Sequence, residues 1–410
     1  MYFTGFRCLG CSALHRPDQD LLLCPACGHI LEALYDTASM RERVDRDEMA
    51  RRTNGIWRWH ELMPVMDREA IVSLGEGDTP LLPSRRLAQL VGVRELWLKS
   101  DSANPTGSLK DRSVSVAATK AVEFGYRTLS CDSTGNKASS VAAYAARAGL
   151  DSVVFCPEDT PGPKVMQAVF FGARLVRVRG HYAEINAMYR RLIHSGEVKW
   201  YDCGTDNPFR YEGKKTYAYE LAQQFGWRAP DRILFPANGG MALAKTWKGF
   251  QELRSLGWVD GMPRLTAVQA ANCAPIVAAF EQGLEKVAAI TKGPTIAGAI
   301  AGANPGMLGD RALDAIRESG GNAVGVDDDE ALEAMELLGR EGLFIEPSGA
   351  VALTGLRRLV REGKVDPDER VVCVLTGSGF KDIDPIARRV RMPETVVDGY
   401  ESMRSATALV

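Results

Sequence analysis

The chain has 410 residues, more than a single hydrophobic core usually serves, so at least two domains are expected. Apolar residues make up 45% and charged residues 25%, which is ordinary for a globular protein. The net charge of −2 offers no electrostatic reason to bind nucleic acid or a membrane surface, and no apolar run reaches the ~18 residues of a membrane span. Residues 1–7 lack a signal-peptide core, so the cytoplasm is the expected compartment. There the nine cysteines are thiols or metal ligands rather than disulfides.

The first predicted element is a metal knuckle pair. Cys8-x-x-Cys11 and Cys24-x-x-Cys27 are separated by twelve residues. Each Cys-x-x-Cys turn brings two thiolates to one ion, and two turns complete a tetrahedral shell. Residues 1–36 are therefore read as a zinc ribbon with a structural Zn(2+), the other reading being reduced thiols in a fold that has lost its metal. Alternating charges over 40–48 read as a solvated helix. Beyond about Leu96, strand-length apolar runs (95–99, 128–131, 152–156, 174–178, 232–235, 265–268, 371–375) alternate with helix-period segments. That alternation predicts an α/β protein with parallel sheets and covering helices. Cys131, Cys156 and Cys373 fall in or near such runs and read as small core residues. The tail after Met392 is polar, opens with Pro393, and reads as loosely ordered or used by a partner subunit.

Four turns follow strand-like runs, and the first carries a lysine. Asn104-Pro105-Thr106-Gly107-Ser108-Leu109-Lys110 leads into a helix predicted over 111–124. An amine at a helix N-terminus meets partial positive charge and loses some of its hold on the proton. A neutral lysine can attack an aldehyde to form a Schiff base. The plain alternative is a solvated lysine opening an amphipathic helix. Ser133-Thr134-Gly135-Asn136 precedes an Ala-rich helix over 138–148 and offers backbone N–H groups to an anion. Residues 233–240 and 371–379 repeat the strand–turn pattern, ending in Asn238-Gly239-Gly240 and Thr376-Gly377-Ser378-Gly379. Glycines let a backbone approach phosphate closely.

In this order, the four motifs resemble those of the threonine synthase family, among the tryptophan-synthase-β-like (fold type II) pyridoxal-phosphate enzymes. Glu76-Gly77-Asp78-Thr79-Pro80-Leu81, Asn207-Pro208-Phe209-Arg210-Tyr211-Glu212-Gly213 and Glu346-Pro347 agree with it, and the resemblance runs from about residue 55 to 382. It implies two open twisted parallel-sheet domains with the cofactor, pyridoxal 5'-phosphate, in the cleft between them. The large domain would comprise 37–110 and 205–392, the small one 111–204, and the tail 393–410. Lys110 would bind the cofactor and move protons. Asn136 would hydrogen-bond the ring oxygen, Asn238, Gly239, Gly240, Met241 and Ala242 would form the phosphate cup, and Thr376 would face the pyridine nitrogen. A hydroxyl there leaves the nitrogen neutral, which favours elimination and replacement over transamination. Ser133, Thr134, Lys137, Thr205 and Arg210 would meet the substrate, Arg210 through its phosphate, which a guanidinium suits bidentately. A cleft salt bridge is the alternative for Arg210.

The chain departs from the family pattern on the substrate side. Lys137 stands where threonine is usual, Asn238-Gly239-Gly240-Met241-Ala242 replaces Gly-Asn-Gly/Ala-Gly-Asn, Gly204-Thr205 replaces Asn-Ser, and Ala301 stands where arginine is common. Lys137 either adds a cation to the substrate site or points out of the cleft and leaves its backbone N–H to the carboxylate. The resemblance implies a cytoplasmic, homodimeric lyase that eliminates phosphate from O-phosphohomoserine, or from a related anionic amino acid, and adds water. Another β-replacement or β-elimination enzyme, such as a threonine/serine dehydratase or an O-phosphoserine-using synthase, is the alternative. Intact Lys110, Asn136 and Thr376 argue against a non-catalytic descendant.

Overall fold

The structure, a computed structural model, describes residues 2–53, 55–180, 182–387, 389–390 and 397–407. It contains three sheets. Strands β1 (Phe3–Cys8), β2 (Leu14–His15) and β3 (Leu31–Tyr35) form a small antiparallel sheet at the N-terminus. Next come β4 (Leu81–Pro83), β5 (Glu95–Ser100), β6 (Thr128–Asp132), β7 (Asp151–Pro157), β8 (Arg174–Val178), β9 (Tyr201–Asp202), β10 (Arg232–Pro236), β11 (Arg264–Ala270), β12 (Asn322–Val326) and β13 (Arg370–Leu375). The largest sheet has the order β12-β11-β10-β13-β5-β4 and is parallel except for the edge strand β4. The four-stranded sheet, β8-β7-β6-β9, is wholly parallel.

Burial on both faces explains the apolar runs. Every residue of β10 is buried, and β13 is buried after its first residue. Helix Pro347–Arg361 covers one face, packing Ala350, Leu353 and Leu356 with Leu234, Val268 and Val371. The opposite face packs Phe235 and Val374 with Leu243 and Phe250 of helix Met241–Ser255. Parallel register puts Ser100, Leu375 and Pro236 at one level, so the loops after β5, β13 and β10 emerge side by side. Ligands of open α/β sheets bind at this carboxyl edge.

One expectation needs correction. The charged stretch over 40–48 is not one solvated helix. It is divided between helices Thr37–Arg43 and Arg46–Arg51, because Asp45 caps the second, accepting from Asp47 N (2.8 Å) and Glu48 N (3.0 Å). Met40 and Met49 are fully buried and pin both helices to the main core. The tail contains a helix, Tyr400–Thr407, while 393–396 and 408–410 lie outside the described residues. Among the described residues no helix is long and apolar enough to cross a membrane.

Candidate active site

The lysine loop is held by two neighbours. Leu109 N donates to the Thr376 carbonyl (2.9 Å), Ser378 N donates to the Gly107 carbonyl (2.9 Å), and Ser108 bridges Gly377. On its other side, Asp111 accepts from Thr106 N (2.7 Å), Thr106 Oγ1 (2.6 Å) and Ser140 Oγ (2.7 Å). These bonds fix the turn so that Lys110 begins helix Lys110–Glu123, one residue before the expected start. Burial pushes its amine down to about 8, with Arg210 and Lys137 adding to the push against Glu346. A lysine so shifted is an available nucleophile and base near neutral pH.

Asn136 opens helix Asn136–Ala148 after β6, and its Nδ2 donates to Glu346 at 3.0 and 3.2 Å. Glu346 caps helix Pro347–Arg361, and burial raises its carboxyl to about 7 against the pull of Asn136 and Lys110. Thr376 is buried at the end of β13. The turn 238–240 starts helix Met241–Ser255. Gly240 has φ +72°, and a Cβ there would lie 2.2 Å from Ala312 Cβ, so no other residue fits unchanged. Asn238 is exposed and donates to the Ala299 carbonyl (3.3 Å), and Ala299 N donates to Ser348 Oγ (3.0 Å), next to the Glu346 cap. Gly239 and Ala242 are half-buried, whereas Met241 is buried.

The substrate-side residues divide. Ser133 is buried and Thr134 half-buried at the turn after β6. Arg210 lies in helix Pro208–Glu212, with Nη1 donating to the Gly204 carbonyl (2.6 Å). Its Nε is buried without a hydrogen-bond partner, and no carboxylate pairs with Arg210 among the described residues, so the salt-bridge reading fails. Thr205 is exposed, and its carbonyl accepts from Tyr211 Oη. Lys137 fits neither expectation fully. Its amine is turned inward onto Asp132 (2.8 Å), yet its charge still reaches Lys110.

Gly213 draws this helix onto the lysine helix: a Cβ there would lie 1.9 Å from the Arg112 carbonyl oxygen. The sequence reading missed Lys214 as a cleft residue and assigned Glu346 no role. A glutamate directly before Pro347 at a helix start, and a lysine four residues after Arg210, were the available signals.

At the N-terminus the four sulfurs of Cys8, Cys11, Cys24 and Cys27 lie within 4.8 Å of one another. Cys8 also accepts from Gly10 N (3.3 Å) and Cys11 N (3.4 Å). This donor set fits a tetrahedral metal ion. The remaining five cysteines are buried.

The family model described as "Pyridoxal-phosphate dependent enzyme" matches residues 72–377. The threonine synthase of Methanocaldococcus jannaschii is 40% identical over 389 residues, covering 94% of this chain and 95% of that protein. That of Methanosarcina acetivorans is 37% identical over 402 residues, covering 98% of each. This chain belongs to the threonine synthase family. Among solved structures, a threonine deaminase of T.th. superposes with a TM-score of 0.61 at 27% identity, covering 73% of this chain and 92% of that one. Maize serine racemase, at 19% identity, shares the fold, with a TM-score of 0.64 and coverage of 81% and 93%. The residues of the threonine synthase-like cleft fit pyridoxal phosphate: an amine near neutrality and a glycine turn at a helix N-terminus.

Proposed function

We propose that this enzyme makes threonine from O-phospho-L-homoserine, with loss of phosphate at Cγ and addition of water at Cβ. The observation that carries the reading is Arg210: a buried guanidinium with a free Nε beside Lys110 suits a phosphate ester better than a plain hydroxy-amino acid. Two near-full-length relatives named threonine synthase support it.

Bound pyridoxal phosphate supplies an electron sink for carbanion chemistry. Lys110 would hold it, and the same amine, shifted toward neutrality, would move protons at the substrate's Cα and Cβ. The N–H groups of Gly239 to Ala242 and the Asn238 side chain would hold the cofactor phosphate at the positive end of helix Met241–Ser255. Asn136, itself held by Glu346, would orient the ring oxygen, and the Thr376 hydroxyl would meet the pyridine nitrogen. Ser133 and Thr134 offer donors to the substrate carboxylate, and Lys137, tied to Asp132, adds positive charge. Thr205 closes the rim beside Arg210, which takes the substrate phosphate. In this reading the two open sheets belong to two domains, 37–110 with 205–392 and 111–204, that meet at the cleft. The four cysteines hold one structural zinc, and the enzyme is cytoplasmic and, by family resemblance, a homodimer.

Purified enzyme given O-phospho-L-homoserine should release phosphate and threonine in equal amounts. Release of phosphate with 2-oxobutyrate and ammonia would make it a deaminating enzyme instead. Metal analysis should find one zinc per chain, and its absence would remove the ribbon's metal role.

A further inference from the structure

Arg210 and Lys214 are four residues apart in a continuous helical run, Pro208–Glu212 followed by the turn Gly213–Lys215. That spacing puts both side chains on one side of the run. They also share a ring. Arg210 Cζ lies 5.2 Å and Lys214 Nζ 5.3 Å from the Tyr211 centroid.

The neighbouring lysine shows what a structural role looks like. Lys215 is fully buried, with its amine 2.9 Å from Glu212 and 3.1 Å from Glu252. Lys214 is only 6% exposed, and among the described residues its amine makes no ion pair or hydrogen bond. The charges that act on it are Lys110, Arg210 and Lys137, all positive, and burial with these neighbours holds its amine well below the usual lysine range. An amine buried among cations with no acid is costly unless a ligand brings negative charge. The unpartnered Nε of Arg210 lies on the same run and points to the same missing anion.

We propose that Lys214 is a second cation of the substrate-phosphate subsite, gripping with Arg210 the phosphate of an O-phosphorylated amino acid. The proposal rests on the phosphate-ester reading above and adds a residue and a charge count to it. A phosphate monoester carries nearly two negative charges at neutral pH. Arg210 offsets one, and Lys214, protonated as the anion arrives, offsets the other. The same two charges stabilise the phosphate as it leaves Cγ.

The test uses cofactor-loaded enzyme with three ligands: inorganic phosphate, O-phospho-L-homoserine and L-threonine, which keeps the carboxylate but lacks the phosphate. Lys214→Gln should weaken phosphate binding at least ~10-fold and lower kcat/KM for O-phospho-L-homoserine at least ~10-fold, the size of one lost charged hydrogen bond. Binding of L-threonine should stay within about threefold, and Lys214→Arg should restore most of the phosphate affinity. If phosphate affinity survives in Lys214→Gln, or threonine affinity falls equally, the proposal is overturned while the function stands. If wild type neither binds phosphate nor turns over the ester, the function reading itself fails. Acetic anhydride labelling of wild type gives a check that needs no variant. Phosphate should protect Lys214 from acetylation and leave the exposed Lys199 unprotected, and equal labelling of Lys214 with and without phosphate would overturn the assignment.

Discussion

Two groups of buried charge sit at neighbouring positions along helix Lys110–Glu123, and they are built differently. Behind the helix start, Arg112 is fully buried and bonds Asp101 (2.8 and 2.9 Å), Glu220 (2.9 Å), Thr216 (3.0 Å) and Thr79 (3.1 Å). Lys99 adds a second cation, 2.8 Å from Glu220. Two cations meet two carboxylates, and although burial opposes it, Arg112 and Lys99 hold Glu220 well below the usual carboxylate range. In front of the helix start, Lys110, Arg210 and Lys137 are the charges that act on Lys214, Glu346 is the carboxylate that acts on Lys110, and burial raises that carboxyl to about 7. The first group is neutralised by the chain and ties helix Lys110–Glu123 to Asp101 after β5 and to Glu220. The second is left electropositive, and in the proposed function cofactor and substrate phosphates would complete it. A buried charge therefore reads as structural or functional according to whether the chain itself supplies the counter-charge.

The contrast can be broken from either side. Arg112→Met should show the largest stability loss, about 3–5 kcal/mol, because Asp101 and Glu220 stay buried without their partner. Urea denaturation should register it, and the comparison fails if Lys214→Gln destabilises the protein as much. Gly213→Ala comes next. Its new methyl would collide with the Arg112 carbonyl oxygen and force the Arg210 run away from the lysine helix. We expect roughly 1–3 kcal/mol of destabilisation, with phosphate affinity falling in parallel. Unchanged phosphate affinity would show that this close approach does not set the subsite.

The smallest effect concerns pH. The Glu346 carboxyl rises from 4.5 to about 7 on folding. A raised carboxyl favours the folded protein at low pH, so its contribution is fully present below 4.5 and is lost as pH climbs to about 7. Glu346→Gln keeps an acceptor for Asn136 and cannot titrate. Cofactor-free wild type should therefore lose stability relative to Glu346→Gln across that window, measured by denaturation at several pH values. Parallel pH profiles would place the Glu346 proton elsewhere.

Much of this was legible from residues alone, for local reasons. The seven predicted strands are short apolar runs closed by turn residues, and β8 matches its predicted bounds. Lys110, Asn136 and Thr376 were found because each ends a strand–turn motif of recognisable type. Three strands of the two larger sheets escaped: β4 is three residues ending in Pro83, β9 is two residues, and β12 contains Asn322 and Gly325. None offers a run long enough to show a period of two. Lys214 escaped for a different reason. Gly213-Lys214-Lys215 reads as a solvated basic stretch, and the burial depends on a close approach between Gly213 and Arg112, residues about a hundred positions apart. Of the two lysines, Lys215 finds carboxylates, Glu212 on its own run and Glu252 of a third helix. The Asp132 partner of Lys137 was equally hidden, since a strand-end aspartate five residues away carries no pattern.

The most direct measurement is a crystal structure of the cofactor-loaded enzyme grown with inorganic phosphate. The account predicts a phosphate ion in the cleft within hydrogen-bond distance of both Arg210 Nε and Lys214 Nζ. Phosphate bound elsewhere, with either of those nitrogens paired to a protein carboxylate, would contradict it.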